Sequence, residues 1–197
     1  MNRRNTTILV VLLLVGCAIH SRDRQTIAGK EPDMQRIETK RLVLRRFTAN
    51  DWQDLQQIAV DWKAAPGPAF DKWPTEDDAC RKFAQYLANK DNYLAVSLRG
   101  SGNVVGLMAI NGIDENKQAD LGHVILSKYQ DSIHDREALQ AMVRHCFEAK
   151  GVESIITHNA PTHVEQVAPL KSLGFVSTNP DNPGELTLSK AQWEQRK

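Results

Sequence analysis

Long apolar runs are scarce in this 197-residue chain; Ile8 to Val15 is the one unbroken stretch of any length. It is too short to cross a bilayer comfortably as a helix. Cysteine is also scarce: Cys17, Cys80 and Cys146 are the 3 present, with no Cys-x-x-Cys pair. That excludes a disulfide framework and a cysteine metal site, and no metal is expected. Charge of one sign is lacking, with 25 Lys and Arg against 24 Asp and Glu, a net charge of +1. No global field therefore favours nucleic acid, and no nucleic-acid partner is expected. Internal repeats and low-complexity tracts are absent. What is there, 41% hydrophobic and 25% charged residues, is the composition of a globular chain, long enough for one domain and something small.

The first twenty residues stand apart. Arg3 and Arg4 precede the apolar run, and Gly16 and Cys17 follow it. A basic start, a short apolar core and a small residue make the three parts of a secretory signal. Leu14-Val-Gly-Cys17 resembles the lipobox of bacterial lipoproteins, which implies lipidation at Cys17 and a membrane anchor on the bacterial envelope. Residues 1–20 then form a leader, 21–35 a polar linker and 36–197 the folded domain. Two other readings remain open: the leader as a single uncleaved anchor, or a start at Met34, which would give a cytoplasmic protein.

The remainder reads as alternating elements. Arg41 to Phe47 alternates as a half-buried strand. Asp51 to Lys63 has helical spacing through Trp52, Leu55, Ile58, Ala59 and Trp62. Ala64 to Pro74 is a loop, and Thr75-Glu-Asp-Asp78 reads as a capping box opening a second helix to Asn89. Strands are expected at Tyr93–Arg99 and Val104–Ile110, joined by a Gly100–Asn103 turn, and then at Ala119–Leu126. A helix follows over Asp135–Lys150, ended by Gly151. A strand at Glu153–Thr157, a helix at Thr162–Leu173 and short strands at Phe175–Thr178 and Leu186–Leu188 complete the chain. Cys80 and Cys146 sit in helical patterns as inert buried thiols. The class is α/β, a mixed sheet with helices on its faces.

Several phrases in this order carry a resemblance: Arg41-Leu-Val-Leu-Arg-Arg-Phe47, Asp51-Trp-Gln-Asp-Leu55, Val104-Val-Gly-Leu107, Asp120-Leu-Gly-His-Val124 and Pro169-Leu-Lys-Ser-Leu-Gly-Phe175. Together they resemble the GCN5-related N-acetyltransferase superfamily, and within it the branch of ribosomal-protein-alanine acetyltransferases. The resemblance implies a central mixed, mostly antiparallel sheet with helices on both faces. It implies acetyl-CoA as co-substrate and an amine of a small molecule or protein as acceptor. It also implies two strands that splay apart, with the pantetheine against main chain of about His123, Val124, Ile125 and Leu126. The diphosphate would meet the loop Gln130, Asp131, Ser132, Ile133, His134 and Asp135, at a helix N-terminus where free amides and the dipole favour an anion. His163 falls where the family often has a cofactor-touching Asn.

The loop departs from the family pattern Gln/Arg-x-x-Gly-x-Gly/Ala. Gln130 fits, but Ile133 and Asp135 stand where small residues belong. A β-branched residue at positive φ would be strained. Asp131 and Asp135 would oppose the diphosphate, a like-charge contact costing about 1 kcal/mol in water and about 4 kcal/mol at a protein surface. Ser132 to Asp135 is also a capping box, which would occupy the amides meant for phosphate.

For chemistry, the family's frequent base position is filled by Asp120, which is also readable as an exposed strand-edge carboxylate. His123 is a second base candidate, readable also as a packing residue. The family's frequent acid, a Tyr, is replaced by Leu170. Tyr129 lies near the loop but is displaced from that role. His158 and Asn159 end the fifth family strand and either touch substrate or cap the turn. Trp62, Phe70 and Trp73 sit where the acceptor pocket would be walled, though core packing explains them equally. Two functions stay open: a working N-acetyltransferase, or a catalytically impaired lipoprotein of this fold acting as an envelope interaction module.

Overall fold

The computed structural model describes residues 36–64, 72–130, 132–160 and 164–196. The leader, the linker, Cys17, Phe70, Asp131 and His163 lie outside the described residues. By contact density the chain divides at Glu31/Pro32, and the described residues belong to the second unit.

The elements are β1 (Arg36–Glu38), β2 (Leu42–Arg46), α1 (Trp52–Lys63), α2 (Asp77–Ala88), β3 (Tyr93–Leu98), β4 (Val104–Ile113) and β5 (Gln118–Ile125), then α3 (Ile133–Glu148), β6 (Ser154–His158), α4 (Val164–Ser172), β7 (Val176–Ser177), β8 (Glu185–Ser189) and α5 (Lys190–Glu194). They build an eight-stranded sheet in the order β1-β2-β3-β4-β5-β6-β8-β7. Every neighbouring pair is antiparallel except β5 with β6.

The core follows from strand position. Successive strand residues point to opposite faces, so consecutive buried residues require cover on both sides. Leu42, Val43 and Leu44 are all buried, as are Leu94 to Ser97 and Val104 to Ile110. The mixed α/β sheet is therefore covered on both faces, as the class implies. β2 is buried on both faces at Leu42–Leu44 and partly exposed at Arg45 and Arg46, and β1, a strand not expected from sequence, pairs along its outer edge. Each fully buried Leu, Ile or Met such as Leu44, Ile58 or Met142 contributes about 1.5–3 kcal/mol of transfer free energy.

Local sequence sets the helix ends. α1 turns Leu55, Ile58, Ala59 and Trp62 inward and stacks Trp52 under the Arg81 guanidinium of α2, 3.7 Å from the ring centre. α2 begins at Asp77 with Glu76 as N-cap, so the expected Thr75 capping box does not form; the Thr75 carbonyl instead accepts from Gln56 Nε2 at 2.6 Å. α3 starts two residues before the expected Asp135, because Ser132 is its N-cap. Gly151 and Gly174, at φ +64° and +100°, take left-handed backbone after α3 and α4. α5 is not among the elements expected from sequence; Ser189 and Gln192 form its capping box.

Both described cysteines are buried and free. Burial pushes the Cys146 thiol up to about 12 and raises Cys80 as well, which makes them inert at neutral pH.

Candidate active site

β5 pairs with β6 over three positions only, Gln118 with Ser154, Ala119 with Ile155 and Asp120 with Ile156. β5 then continues to Ile125 along β4, while β6 continues to His158 along β8. The two strands part beyond Asp120 and Ile156 and leave an open edge on β5.

Strand alternation decides which main-chain groups face that opening. The Leu126 N–H donates to the Val105 carbonyl at 2.9 Å, so Leu126 and Val124 turn their main chain toward β4. His123 and Ile125 turn theirs to the open side. Of the four residues expected to offer main chain, Val124 and Leu126 are thus engaged with β4. The Ile125 carbonyl already accepts from the buried Trp62 Nε1 at 2.9 Å and from Gln130 Nε2 at 3.5 Å. Trp62 is therefore tied to the cleft edge. Trp73 is buried edge-on against Phe83, 5.3 Å between centroids, which is core packing.

Asp120 is partly exposed at the apex of the opening. It lines a cavity of about 330 Å³ with Asn111, Ile113, Asp114, Gln118 and Ile156. Pairing shifts between Ile110 and Gly112, so Asn111 is an extra residue on β4, a β-bulge. Its Nδ2 donates to Asp120 Oδ1 at 3.3 Å. Nothing in the sequence marked Asn111, because a bulge is a property of the pairing and not of the strand alone.

His123 lies elsewhere in character. The residue is 8% exposed, and Nε2 is buried without a hydrogen-bond partner. Desolvation holds the imidazole down to about 4. A sealed neutral imidazole with no route to a substrate proton is a poor base, so the packing reading fits it and its main chain is what faces the cleft.

The turn after β5 runs through a 3-10 segment, Ser127–Tyr129, into α3. Ser132 Oγ accepts from His134 N–H at 3.2 Å and Asp135 N–H at 3.5 Å, and its own proton goes to the Tyr129 carbonyl. The expected reciprocal half of the box does not appear: the Ser132 N–H donates to the Tyr129 carbonyl at 3.3 Å. Ile133 is the first helical residue, 54% exposed, and carries no positive φ; Lys117 alone does among described non-glycine residues. The feared strain is absent because the helix begins at Ile133. Asp135 is buried, at 1% exposure, in the first turn of α3. His134 lies edge-on to Tyr129, 5.2 Å between centroids.

Leu170 is fully buried, which leaves no hydroxyl at the family's acid position. Asn159 Nδ2 donates to Thr157 Oγ1 and to the Gly184 carbonyl, both at 3.0 Å, the turn-holding role. His158 is half-exposed, with Nδ1 3.7 Å from Glu185 Oε2.

The chain matches the acetyltransferase (GNAT) domain family over residues 41–176. It belongs to that family. Acetyl-CoA is the co-substrate of this family, and the reaction is acetyl transfer to an amine. A relative in Bacillus subtilis strain 168, named uncharacterized N-acetyltransferase YnaD, is 26% identical over 142 residues, 71% of this chain and 81% of the relative. A provisionally assigned ribosomal-protein-serine acetyltransferase from Vibrio cholerae has the same fold at TM-score 0.63 and 22% identity, covering 78% of this chain and 97% of that one. Mycobacterium smegmatis RimJ in complex with CoA-disulfide aligns at TM-score 0.58 and 15% identity, covering 77% and 83%.

Proposed function

We propose that this GNAT domain acetylates a primary amine with Asp120 as the proton acceptor. The donor lies along the open β5 edge at His123 and Ile125, with its diphosphate toward Gln130 and the N-terminus of α3. The observation that carries the reading is the parting of β5 and β6 beyond Asp120 and Ile156. An amine must be neutral to attack a thioester. Asp120, partly exposed in its cavity and held by Asn111, is placed to take that proton directly or through a water. With Leu170 in the acid position, the leaving thiolate takes its proton from solvent. The finer branch is that of ribosomal-protein acetyltransferases, supported by the opening phrase Arg41 to Leu55 and by the Vibrio cholerae relative, and the acceptor is then a protein N-terminal amine. Calorimetric titration with acetyl-CoA and turnover against a panel of amines and peptide N-termini test this. Absence of both affinity and turnover overturns it.

The leader supports a companion proposal on placement. Arg3, Arg4, the apolar run Ile8 to Val15 and Cys17 are the features of a lipidated export signal. No helix among the described residues is long and apolar enough to cross a membrane. Intact-mass analysis of the native N-terminus decides it; an unmodified end at Met34 overturns the lipoprotein proposal and favours a cytoplasmic protein.

A further inference from the structure

The end of β5 is gripped from one place, the last turn of α1. Trp62 sends its indole N–H to the Ile125 carbonyl at 2.9 Å. Its neighbour Asp61 accepts the Ser127 N–H through Oδ2 at 2.6 Å and the Ser127 hydroxyl through Oδ1 at 2.7 Å. Two consecutive side chains thus fix both ends of the segment Ile125–Ser127 from 63 and 66 positions away.

That segment joins two features the donor must meet at once. On one side is the open β5 edge at His123 and Ile125. On the other is the 3-10 turn Ser127–Tyr129 that leads into α3. The first amides of such a turn have no partner inside it. Ser127 finds its partner outside, in a carboxylate, and bonds of this charge-assisted kind are the strong ones. Both oxygens of Asp61 are directed at Ser127, so the residue acts on the turn.

We propose that Asp61 is a positioning residue for acyl-donor binding: by fixing Ser127 it sets the spacing between the open β5 edge and the N-terminus of α3. This rests on the donor site proposed above. A donor with a thioester arm and a diphosphate needs both contact regions at a fixed separation. Loss of that separation weakens binding of the donor without removing any group that touches it.

The test uses the full chain and reads KM for acetyl-CoA, kcat, calorimetric affinity and melting temperature. Asp61→Ala is expected to raise the KM for acetyl-CoA about tenfold while kcat stays within about threefold. Asp61→Asn can still accept the Ser127 N–H and donate to its hydroxyl, so its KM is expected to stay within about threefold of the parent. A lowered melting temperature with unchanged KM in Asp61→Ala overturns the proposal. Equal damage in both variants, or tighter binding in either, also overturns it, because charge rather than position is then responsible. If Asp61→Ala does not fold, Ser127→Ala removes one of the two bonds; a KM raised about threefold supports the proposal and an unmoved KM overturns it. A parent chain that does not bind acetyl-CoA overturns the site reading itself. A parent that binds, with unmoved variants, overturns the positioning role alone.

Discussion

Asn111 and Asp120 meet across the β4–β5 pair because β4 carries one residue more than β5 at that point. The bulge lifts Asn111 out of register and sends its amide to Asp120 Oδ1 at 3.3 Å. The contact occurs at the last paired residue before β5 and β6 part. A carboxylate oriented at the apex of a cleft is a chemical feature that a regular ladder would not have produced.

The first prediction follows from this pair. Asp120→Asn should lower kcat by about 10²-fold or more, the usual scale for loss of a positioned base. Asn111→Ala should lower kcat less, with the KM for acetyl-CoA unmoved, because the carboxylate remains but loses its orientation. Steady-state kinetics across pH check both, and an unchanged profile in Asp120→Asn removes it from the mechanism.

The second prediction concerns His123 and stability. Its imidazole is fully buried and held down to about 4, whereas the unfolded chain takes up a proton at about 6.5. A depressed histidine favours the fold above its unfolded value and loses that advantage as pH falls. Stability should therefore decline from about pH 6.5 to about pH 4, by up to about 3 kcal/mol, and level off below. His145, lowered in the same direction by burial and by Lys150, adds to the slope. Burial raises Asp51 and Glu137, but bonds from Arg45 and Thr48 outweigh it for Asp51, and bonds from Thr39 and Arg41 outweigh it for Glu137; both carboxyls end below the usual carboxylate range and contribute only at lower pH. Urea unfolding of His123→Phe between pH 7 and pH 4.5 should show a clearly flatter slope, and an identical slope would refute the assignment.

The third prediction addresses the anion end. Ser132 occupies the His134 and Asp135 amides that an incoming diphosphate would want. Ser132→Gly should cost a few tenths of a kcal/mol of stability, as glycine is a tolerable N-cap. It should also tighten acetyl-CoA binding by freeing two donors at the positive end of α3. Calorimetry on the pair decides; weaker binding in the variant would mean that Ser132 itself contacts the donor.

Much of this arrangement was legible in the sequence, and the gaps share a cause. Strand β4, helix α1 and the Ser132 cap could be read because each depends on residues adjacent or one turn apart. Strand β1 is three residues long and exists through pairing with β2. Thr75 has the right spacing for a cap, but the chain bends so that Glu76 takes the place. Asp61 and Trp62 read as ordinary helix residues; their partners Ser127 and Ile125 lie beyond any local pattern. His123 reads from sequence as a base candidate or a packing residue, and only its burial, which seals the imidazole from solvent, decides between them.

Gly106 ties a sequence phrase to the cleft. A Cβ built there would lie 2.5 Å from the Val124 carbonyl oxygen and 3.2 Å from the Ile125 Cα, and both are backbone rather than a yielding side chain. The glycine of Val104-Val-Gly-Leu107 is thus required by close approach of β5, since its φ is not in the left-handed region. Gly106→Ala must push β5 outward at Val124–Ile125, where the open edge and the Trp62 bond lie. The expected cost is about 1–3 kcal/mol, the usual scale for overpacking. Acetyl-CoA affinity should fall with it, because the displaced segment is the donor's edge. A melting curve lowered by this amount with acetyl-CoA affinity intact would mean that the donor does not lie along β5.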